Sequence, residues 1–178
     1  FEAQGRVLLH GGKFGGNIAL VTNDNVVAGV KEIVANYNVD GIHFDDIFPP
    51  TYGSAIINPM IKACHDTCAA YGKVFGISPA GNIDNNRANG VDIDTWLSTP
   101  GYVDYIVPQL YWSDNFSKSG TVTMYSTRLA AWKSLNKIGI PMYAGLALYK
   151  TGSLISTDPG WAMKQTNLLE QANKACAS

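Results

Sequence analysis

Residues 39–46 read VDGIHFDD and are the most informative segment of the chain for its architecture. It predicts a short strand in which Ile42 and Phe44 share one face, because successive side chains of a strand point to opposite faces. The other face would then carry His43 and Asp45. A histidine and a carboxylate opposite an apolar face are unusual for a strand that only builds a core. We therefore predict a functional site at the end of this strand.

Helices and strands are predicted to alternate along the rest of the chain. Helices are predicted at 24–37 after an N-cap at Asp24, at 55–71 before Gly72, at 122–137 and from about residue 160. Further strands are predicted at 74–79, within 102–112 and at 141–149. Residues 1–23 are interpreted as mostly loop, although residues 7–9 could form a strand, and residues 80–100 as a long polar loop with a short helix near 93–97. The alternation predicts an α/β fold with a parallel sheet.

Polar residues lie near the C-terminal ends of the predicted strands, namely Asp45, Ser78, Gln109 and Tyr149. Ligands bind at that end of the strands in open parallel sheets and in closed barrels alike. No Gly-x-Gly-x-x-Gly or Walker segment follows a strand, so nucleotide binding has little support.

Composition excludes several classes of partner. The 178 residues are 46% hydrophobic and 15% charged with a net charge of -1, which is typical of one globular domain and gives no basic footprint for nucleic acid. No apolar run approaches the roughly 20 residues needed for a membrane span. No signal peptide is visible and the chain begins at Phe1, so we expect a processed or excised piece.

The three cysteines predict neither a disulfide framework nor a metal site. Cys64 and Cys68 lie four residues apart on a predicted helix, and with His65 they match no standard zinc spacing. We interpret them as small apolar residues of a packed helix face, and we expect no metal and no cofactor.

Four segments, residues 39–46, 75–79, 102–112 and 145–150, resemble in order and spacing the strand motifs of the bacterial glycosyl-hydrolase-like family ten. The resemblance extends over roughly residues 24–170. It implies a TIM-like (β/α) barrel in which the predicted strands are the fourth to seventh. The 178 residues would then be a single domain, the central and C-terminal part of such a barrel, without its first three strands and its eighth.

An incomplete barrel has further consequences. It would be an open half-barrel with two exposed sheet edges, for which we expect a homodimer; a small open α/β domain is the alternative. The family implies a secreted or cell-envelope glycoside hydrolase that cleaves a bacterial polysaccharide, with cell-wall glycan strands as the substrate class.

Glycoside hydrolysis normally requires two carboxyl groups. Asp45 is predicted to be the nucleophile or base and Asp46 the acid or a positioning group, although Asp46 could instead cap a turn. The strand is not chitinase-like, because the position of the chitinase catalytic glutamate falls on Ile47. Alternative second acids are Asp84, Asp92, Asp94, Asp104 and Asp114; of these Asp114 is the better placed, and Asp104 is interpreted as structural.

Other side chains are predicted to bind substrate: His43, Ser78, Asn82, Gln109, Tyr111, Trp112, Asp114 and Tyr149. Gln109 and Tyr111 could donate either to sugar hydroxyls or to a carboxylate. His43 could equally be a satisfied core histidine. For Trp112 and Tyr149, stacking on sugar rings competes with ordinary packing. Lys150 is interpreted as a solvated rim charge.

Two rival functions remain open from the sequence. The chain could be a catalytically silent carbohydrate-binding barrel fragment. It could also be an open α/β domain that binds Mg²⁺ at Asp45 and Asp46, as response regulators do, with Lys150 as a weak match to their lysine.

Overall fold

A computed structural model of the chain describes residues 6–9, 23–45, 53–117, 123–163 and 165–177, without the side chains of residues 6–9, 23, 163, 165 and 166. The described strands are β1 (Arg6–Leu9), β2 (Gly41–Asp45), β3 (Val74–Ser78) and β4 (Tyr105–Ile106). The described α-helices are α1 (Asn23–Asn36), α2 (Gly53–Ala70), α3 (Ile83–Ala88), α4 (Ile93–Ser98), α5 (Met124–Leu135) and α6 (Gln165–Cys176). Two 3-10 helices, Leu148–Lys150 and Pro159–Met163, precede α6.

The four strands form one parallel sheet in the order β1-β2-β3-β4. Leu9 of β1 is in register with Phe44, Asp45 of β2 with Ser78, and Ile77 of β3 with Ile106. Helices connect successive strands, so all the carboxyl ends of the strands meet at one edge of the sheet. The prediction of an α/β fold with a parallel sheet is confirmed.

Helices α1, α2 and α5 match the predicted bounds to within two residues. Helix α6 begins at Gln165, five residues after the predicted start, because a 3-10 helix occupies Pro159–Met163. Asp24 lies in the first turn of α1, so its prediction as the N-cap was wrong.

Helix α2 ends before Gly72, whose φ of 65° is the left-handed conformation that glycine adopts readily, so the predicted stop signal is confirmed. The helix predicted at 122–137 corresponds to α5. Residue 122 lies outside the described residues, and α5 begins at Met124 after its N-cap Thr123.

Two segments predicted as loop are regular structure. Residues 6–9 form β1, so a strand precedes the acidic strand in the sheet. The polar stretch 80–100 contains α3 as well as α4, because Asn82 and Asp92 cap them through their side chains. The loop interpretation was therefore wrong for residues 6–9, where the alternative of a strand is the one observed, and for residues 83–88, whereas the short helix predicted near 93–97 is confirmed as α4.

The strand predicted within 102–112 is confirmed as the short strand β4, whereas the strand predicted at 141–149 does not form a ladder. The first forms ladder pairs only at Tyr105–Ile106, and the second makes isolated parallel bridges, from Met142 to Ile106 and from Gly145 to Gln109. Both segments contain a proline, which cannot donate to a ladder. The prediction of a strand at 141–149 was therefore wrong, although this segment runs parallel to residues 106–109 and bridges to them at two points.

The apolar faces of the strands build the core. Ile42 and Phe44 are buried, whereas His43 and Asp45 are half-buried, which confirms the predicted alternation of β2. On β3, Phe75 is likewise fully buried in the core. The polar face of β2, with His43 and Asp45, therefore does not take part in the hydrophobic core.

Helix α6 is attached to the segment after β4 through polar contacts, which we call the α6 clamp. Gln171 Nε2 donates to the carbonyl oxygen of Trp112 at 2.6 Å, and the backbone N–H of Asp114 donates to Asn167 Oδ1 at 2.6 Å. Lys174 Nζ lies 2.6 Å from both carboxylate oxygens of Asp114, a residue that is only 6% exposed. The clamp fixes the path of the chain just past the end of β4.

The cysteines should differ sharply in reactivity. Burial raises the pKa of the Cys64 thiol strongly and that of Cys68 to about 12, whereas Cys176 is exposed. Because the thiolate is the nucleophile, iodoacetamide at pH 8 should alkylate Cys176 in the native chain and leave Cys64 and Cys68 unmodified. Peptide mass spectrometry checks this, with a urea-unfolded sample as the control in which all three react. Comparable labelling of Cys64 or Cys68 in the native sample would contradict the packing described here.

Candidate active site

Asp45 lies at the C-terminal end of β2 and is bound by the neighbouring strand ends. Gln109 Nε2 donates to Asp45 Oδ1 at 2.9 Å and to the backbone carbonyl oxygen of Ser78 at 2.9 Å. The parallel sheet explains this proximity, because Asp45 is in register with Ser78 and Gln109 bridges to the residue two positions after Ser78. Three residues chosen from the sequence as separate strand ends thus meet in one cluster.

His43 lies one step deeper on the same face of β2. Its Nδ1 is 2.9 Å from the hydroxyl of Tyr105, and its Nε2 makes a short hydrogen bond with Ser78 Oγ. A neutral imidazole offers one donor and one acceptor, and hydroxyl groups can complement either. Both ring nitrogens are therefore satisfied by the protein, as in a positioned core histidine. We call His43, Asp45, Ser78, Tyr105 and Gln109 the strand-end cluster.

Tyr105 was not among the predicted site residues. Its ring lies directly over Gly76, where a β-carbon would collide with it, and stacks on the ring of His43 at 5.5 Å. A glycine inside a buried strand marks a close approach by another group. Gly76 was therefore the sequence signal for this contact, but it does not identify which side chain fills the space.

An aromatic pair lies next to the strand-end cluster. The rings of Tyr111 and Tyr149 meet edge to face with their centroids 6.0 Å apart, and Tyr149 is 71% exposed. Burial, and after it the carboxylate of Asp45 and the nearby Tyr149, raise the pKa of the Tyr111 phenol. Tyr111 is thus close enough to Asp45 to be affected by its charge, and it stays protonated at neutral pH. We call Tyr111 and Tyr149 the tyrosine pair.

Lys150 is not the solvated rim charge that the sequence indicated. Its Nζ donates to the backbone carbonyl oxygen of Tyr111 at 3.0 Å and lies 5.9 Å and 5.7 Å from the ring centroids of Tyr111 and Tyr149. The lysine therefore ties the 3-10 helix at 148–150 to the segment after β4 and holds the tyrosine pair together.

Three other predicted substrate ligands have contacts of a structural kind. Asn82 Oδ1 accepts hydrogen bonds from the backbone N–H groups of residues 84 and 85 and so caps α3. Trp112 packs against Gly81 and under the guanidinium of Arg128, 5.9 Å from its ring centroid. Asp114 is the anion of the α6 clamp. Substrate binding by these residues stays a prediction.

The second acid is not identified by the described residues. Asp46 lies outside them. Among the alternatives, Asp92 caps α4 and Asp94 is bound by Arg87 at 2.8 Å, which lowers the pKa of Asp94. Asp104 accepts a hydrogen bond from the backbone of Phe75 at the opposite end of the sheet, in agreement with its structural interpretation.

The described part of the chain contains neither a cluster of metal ligands nor a membrane-spanning helix. No three histidine, cysteine, aspartate or glutamate side chains in it are arranged to hold a metal ion. No helix in it has both the length and the apolar character required to cross a bilayer.

Comparison with known proteins identifies related sequences. The family model described as glycosyl hydrolase-like 10 matches residues 54–163. Glycosyl hydrolase YngK of Bacillus subtilis (strain 168) is 30% identical over 186 aligned positions, which cover 78% of this chain and 35% of that protein. Glycosyl hydrolase DigH of Escherichia coli (strain K12) is 28% identical over 180 positions, covering 78% of this chain and 40% of that protein. The chain thus spans about 35 to 40% of the length of these curated relatives.

A solved structure shares the fold. The C-terminal domain of a candidate chitinase from Desulfitobacterium hafniense DCB-2 superposes with a TM-score of 0.50 over 78% of this chain and 44% of that one. At 13% sequence identity the likeness concerns the fold alone.

Proposed function

The chain belongs to the glycosyl hydrolase-like 10 family, and from this premise we propose that it is a glycoside hydrolase that cleaves a bacterial polysaccharide. The family resemblance deduced from the strand motifs is confirmed. It supports a hydrolase-like role in carbohydrate metabolism. Cell-wall glycan strands are the substrate class we propose. Substrate and mechanism rest on the arguments that follow.

The observation that carries the proposal is the position of Asp45. Its carboxylate lies at the carboxyl end of a parallel strand, on the polar face, and accepts a hydrogen bond from Gln109. A carboxylate oriented in this way can attack the anomeric carbon or activate a water molecule for that attack. We assign Asp45 the role of nucleophile or base, and propose Asp46 as the acid that protonates the leaving oxygen.

Release of reducing ends tests the proposal. The chain is incubated with peptidoglycan glycan strands, chitin and a β-glucan, and new reducing ends are counted while binding to each polymer is measured in parallel. We expect turnover of the peptidoglycan glycan. Binding without turnover on every polymer would instead identify the chain as a silent carbohydrate-binding fragment.

The tyrosine pair should contribute to substrate affinity rather than to chemistry. Sugar rings stack on exposed aromatic faces, and an aromatic contact contributes about 0.5–1.5 kcal/mol. We expect Tyr149→Ala to raise KM by about 3- to 10-fold with little change in kcat. Steady-state kinetics on a soluble glycan oligomer measure both constants.

A matched control for Tyr149 lies at the opposite end of the sheet. Tyr37 is 61% exposed and follows α1, before β2 begins. Tyr37→Ala should leave KM unchanged. An equal rise of KM in both variants would remove the argument for stacking on Tyr149.

The architecture of the whole protein is also a proposal. We propose that these residues form one domain, the central and C-terminal part of a TIM-like barrel, in a secreted or cell-envelope protein. Parallel strands joined by helices support the barrel. A homodimer through exposed sheet edges is the oligomeric state we propose, and analytical ultracentrifugation tests it.

The magnesium-binding alternative receives less support than hydrolysis. It requires a lysine directed at the acid pair, whereas Lys150 donates to the backbone of Tyr111 and lies over the tyrosine pair. The family match also favours glycoside chemistry.

A further inference from the structure

We infer that Gln109 is a positioning residue that sets the orientation of the Asp45 carboxylate, and not a hydrogen-bond donor to the sugar. The inference rests on the proposed function and adds that the Gln109 amide orients the carboxylate of Asp45. Its basis is the use of both side-chain amide hydrogens within the strand-end cluster.

The orientation of the Gln109 amide follows from its neighbours. The terminal atom that contacts Asp45 Oδ1 is also 2.9 Å from the carbonyl oxygen of Ser78, and both of these neighbours are acceptors. An oxygen at that position would face two other oxygens, so it must be the NH₂ group. Its two hydrogens are then both donated to the protein. They serve the Asp45 carboxylate and the backbone of Ser78 rather than a sugar hydroxyl, which favours the second of the two acceptors considered for Gln109 from the sequence.

The backbone under this side chain is held from two sides. Gln109 N donates to the carbonyl oxygen of Pro79 at 3.0 Å, and Gln109 forms parallel bridges with Ala80 and with Gly145. Gly81 adds a close approach, because a β-carbon there would collide with the carbonyl oxygen of Gln109. The amide therefore projects from an anchored point between two chain segments.

An anchored donor has a specific chemical effect. A charge-assisted hydrogen bond to one carboxylate oxygen restricts rotation of the group, so the carboxylate is presented in one orientation. Pre-orientation of a reacting group lowers the barrier of the chemical step and leaves ground-state binding nearly unchanged. Loss of this bond should therefore appear in kcat.

Two substitutions separate positioning from packing. Gln109→Met has similar volume and no donor, and we expect it to lower kcat by about 10- to 100-fold with KM within about threefold of the parent value. Gln109→Glu places a second carboxylate against Asp45. At neutral pH it should be as slow as the methionine variant. As pH falls and the pair takes up one proton, the shared hydrogen bond should return and activity relative to the parent chain should rise.

Kinetic results decide between the two roles of Gln109. A rise of KM at unchanged kcat in Gln109→Met would identify a sugar ligand and overturn the inference. So would a Gln109→Glu variant whose activity relative to the parent chain is as independent of pH as that of the methionine variant. Recovery of the glutamate variant alone at acidic pH supports positioning, since a purely structural role gives no such rescue.

A spectroscopic arm keeps the inference separate from the proposed function. In a ¹⁵N-labelled chain, both side-chain amide hydrogens of Gln109 should exchange slowly with solvent, and Asp45→Ala should accelerate the exchange of one of them. Fast exchange of both hydrogens in the parent chain would overturn the inference even if the chain hydrolyses glycans. Protected hydrogens in a chain that cleaves none of the polymers would leave the contact established and contradict the hydrolase proposal.

Discussion

Asp45→Asn should lower the rate of glycan cleavage by about 10²- to 10⁴-fold, the usual contribution of a positioned acid–base group. Asparagine keeps the volume of the side chain and an oxygen that can accept the hydrogen bond from Gln109, so the strand-end cluster should stay folded. What it removes is the carboxylate that we propose attacks the anomeric carbon or takes a proton from water. The loss should therefore fall on kcat, measured by reducing-end release under saturating substrate.

A matched control for Asp45 lies just before the same strand. Asp40 is exposed and precedes β2, at the end of the sheet opposite to Asp45. Asp40→Asn changes net charge by the same amount, so it should leave kcat unchanged. If Asp45→Asn keeps more than about half of the parent activity, Asp45 is not the catalytic carboxylate, and the assignment would pass to a residue outside the strand-end cluster.

Trp132→Ala should destabilise the fold by about 3–5 kcal/mol, as large-to-small changes of buried tryptophans do. Trp132 lies on α5, is fully buried, and donates from Nε1 to the carbonyl oxygen of Gly81 at 2.9 Å. The alanine leaves a cavity and an unpaired buried carbonyl group. For a chain of this length the change corresponds to a fall in Tm of about 10 °C.

Trp132→Phe separates the two contributions. Phenylalanine fills most of the cavity but donates no hydrogen bond, so we expect a loss of about 1–2 kcal/mol. Chemical denaturation followed by circular dichroism measures both variants. Because Gly81 approaches Gln109, the phenylalanine variant should also reduce activity at temperatures where it is still folded. Equal stability of the alanine variant and the parent chain would contradict the described packing of α5 against the segment that contains Gly81.

Alternation of residue types was sufficient to predict β2 and β3. Each has apolar residues at every second position, which is the pattern expected when one face of a strand packs in the core and the other does not. The same logic correctly placed Asp45, Ser78 and Gln109 at one edge, because parallel strands bring their carboxyl ends together. The position of this part of the candidate site was therefore predictable from the sequence.

Other features depend on contacts that alternation does not encode. The stretch 141–149 has a strand-like pattern, but only Met142 and Gly145 bridge to their neighbours. Asn82 was interpreted as a residue of a polar loop, whereas its side chain caps α3; capping residues and loop residues are the same residue types. The contact between Lys150 and the backbone of Tyr111 joins residues 39 positions apart, and local sequence carries no signal for it.

The α6 clamp limits how the loop after β4 can change. Asp114 and Lys174 neutralise each other at a site where the carboxylate is nearly inaccessible, and Asn167 and Gln171 serve backbone groups of the same segment. A substitution of one partner alone leaves a buried charge or amide without its complement. Engineering of specificity in this loop should accordingly draw on libraries that vary positions 114 and 174 jointly, since the useful variants are expected as compensated pairs and single-site screens would discard them as misfolded.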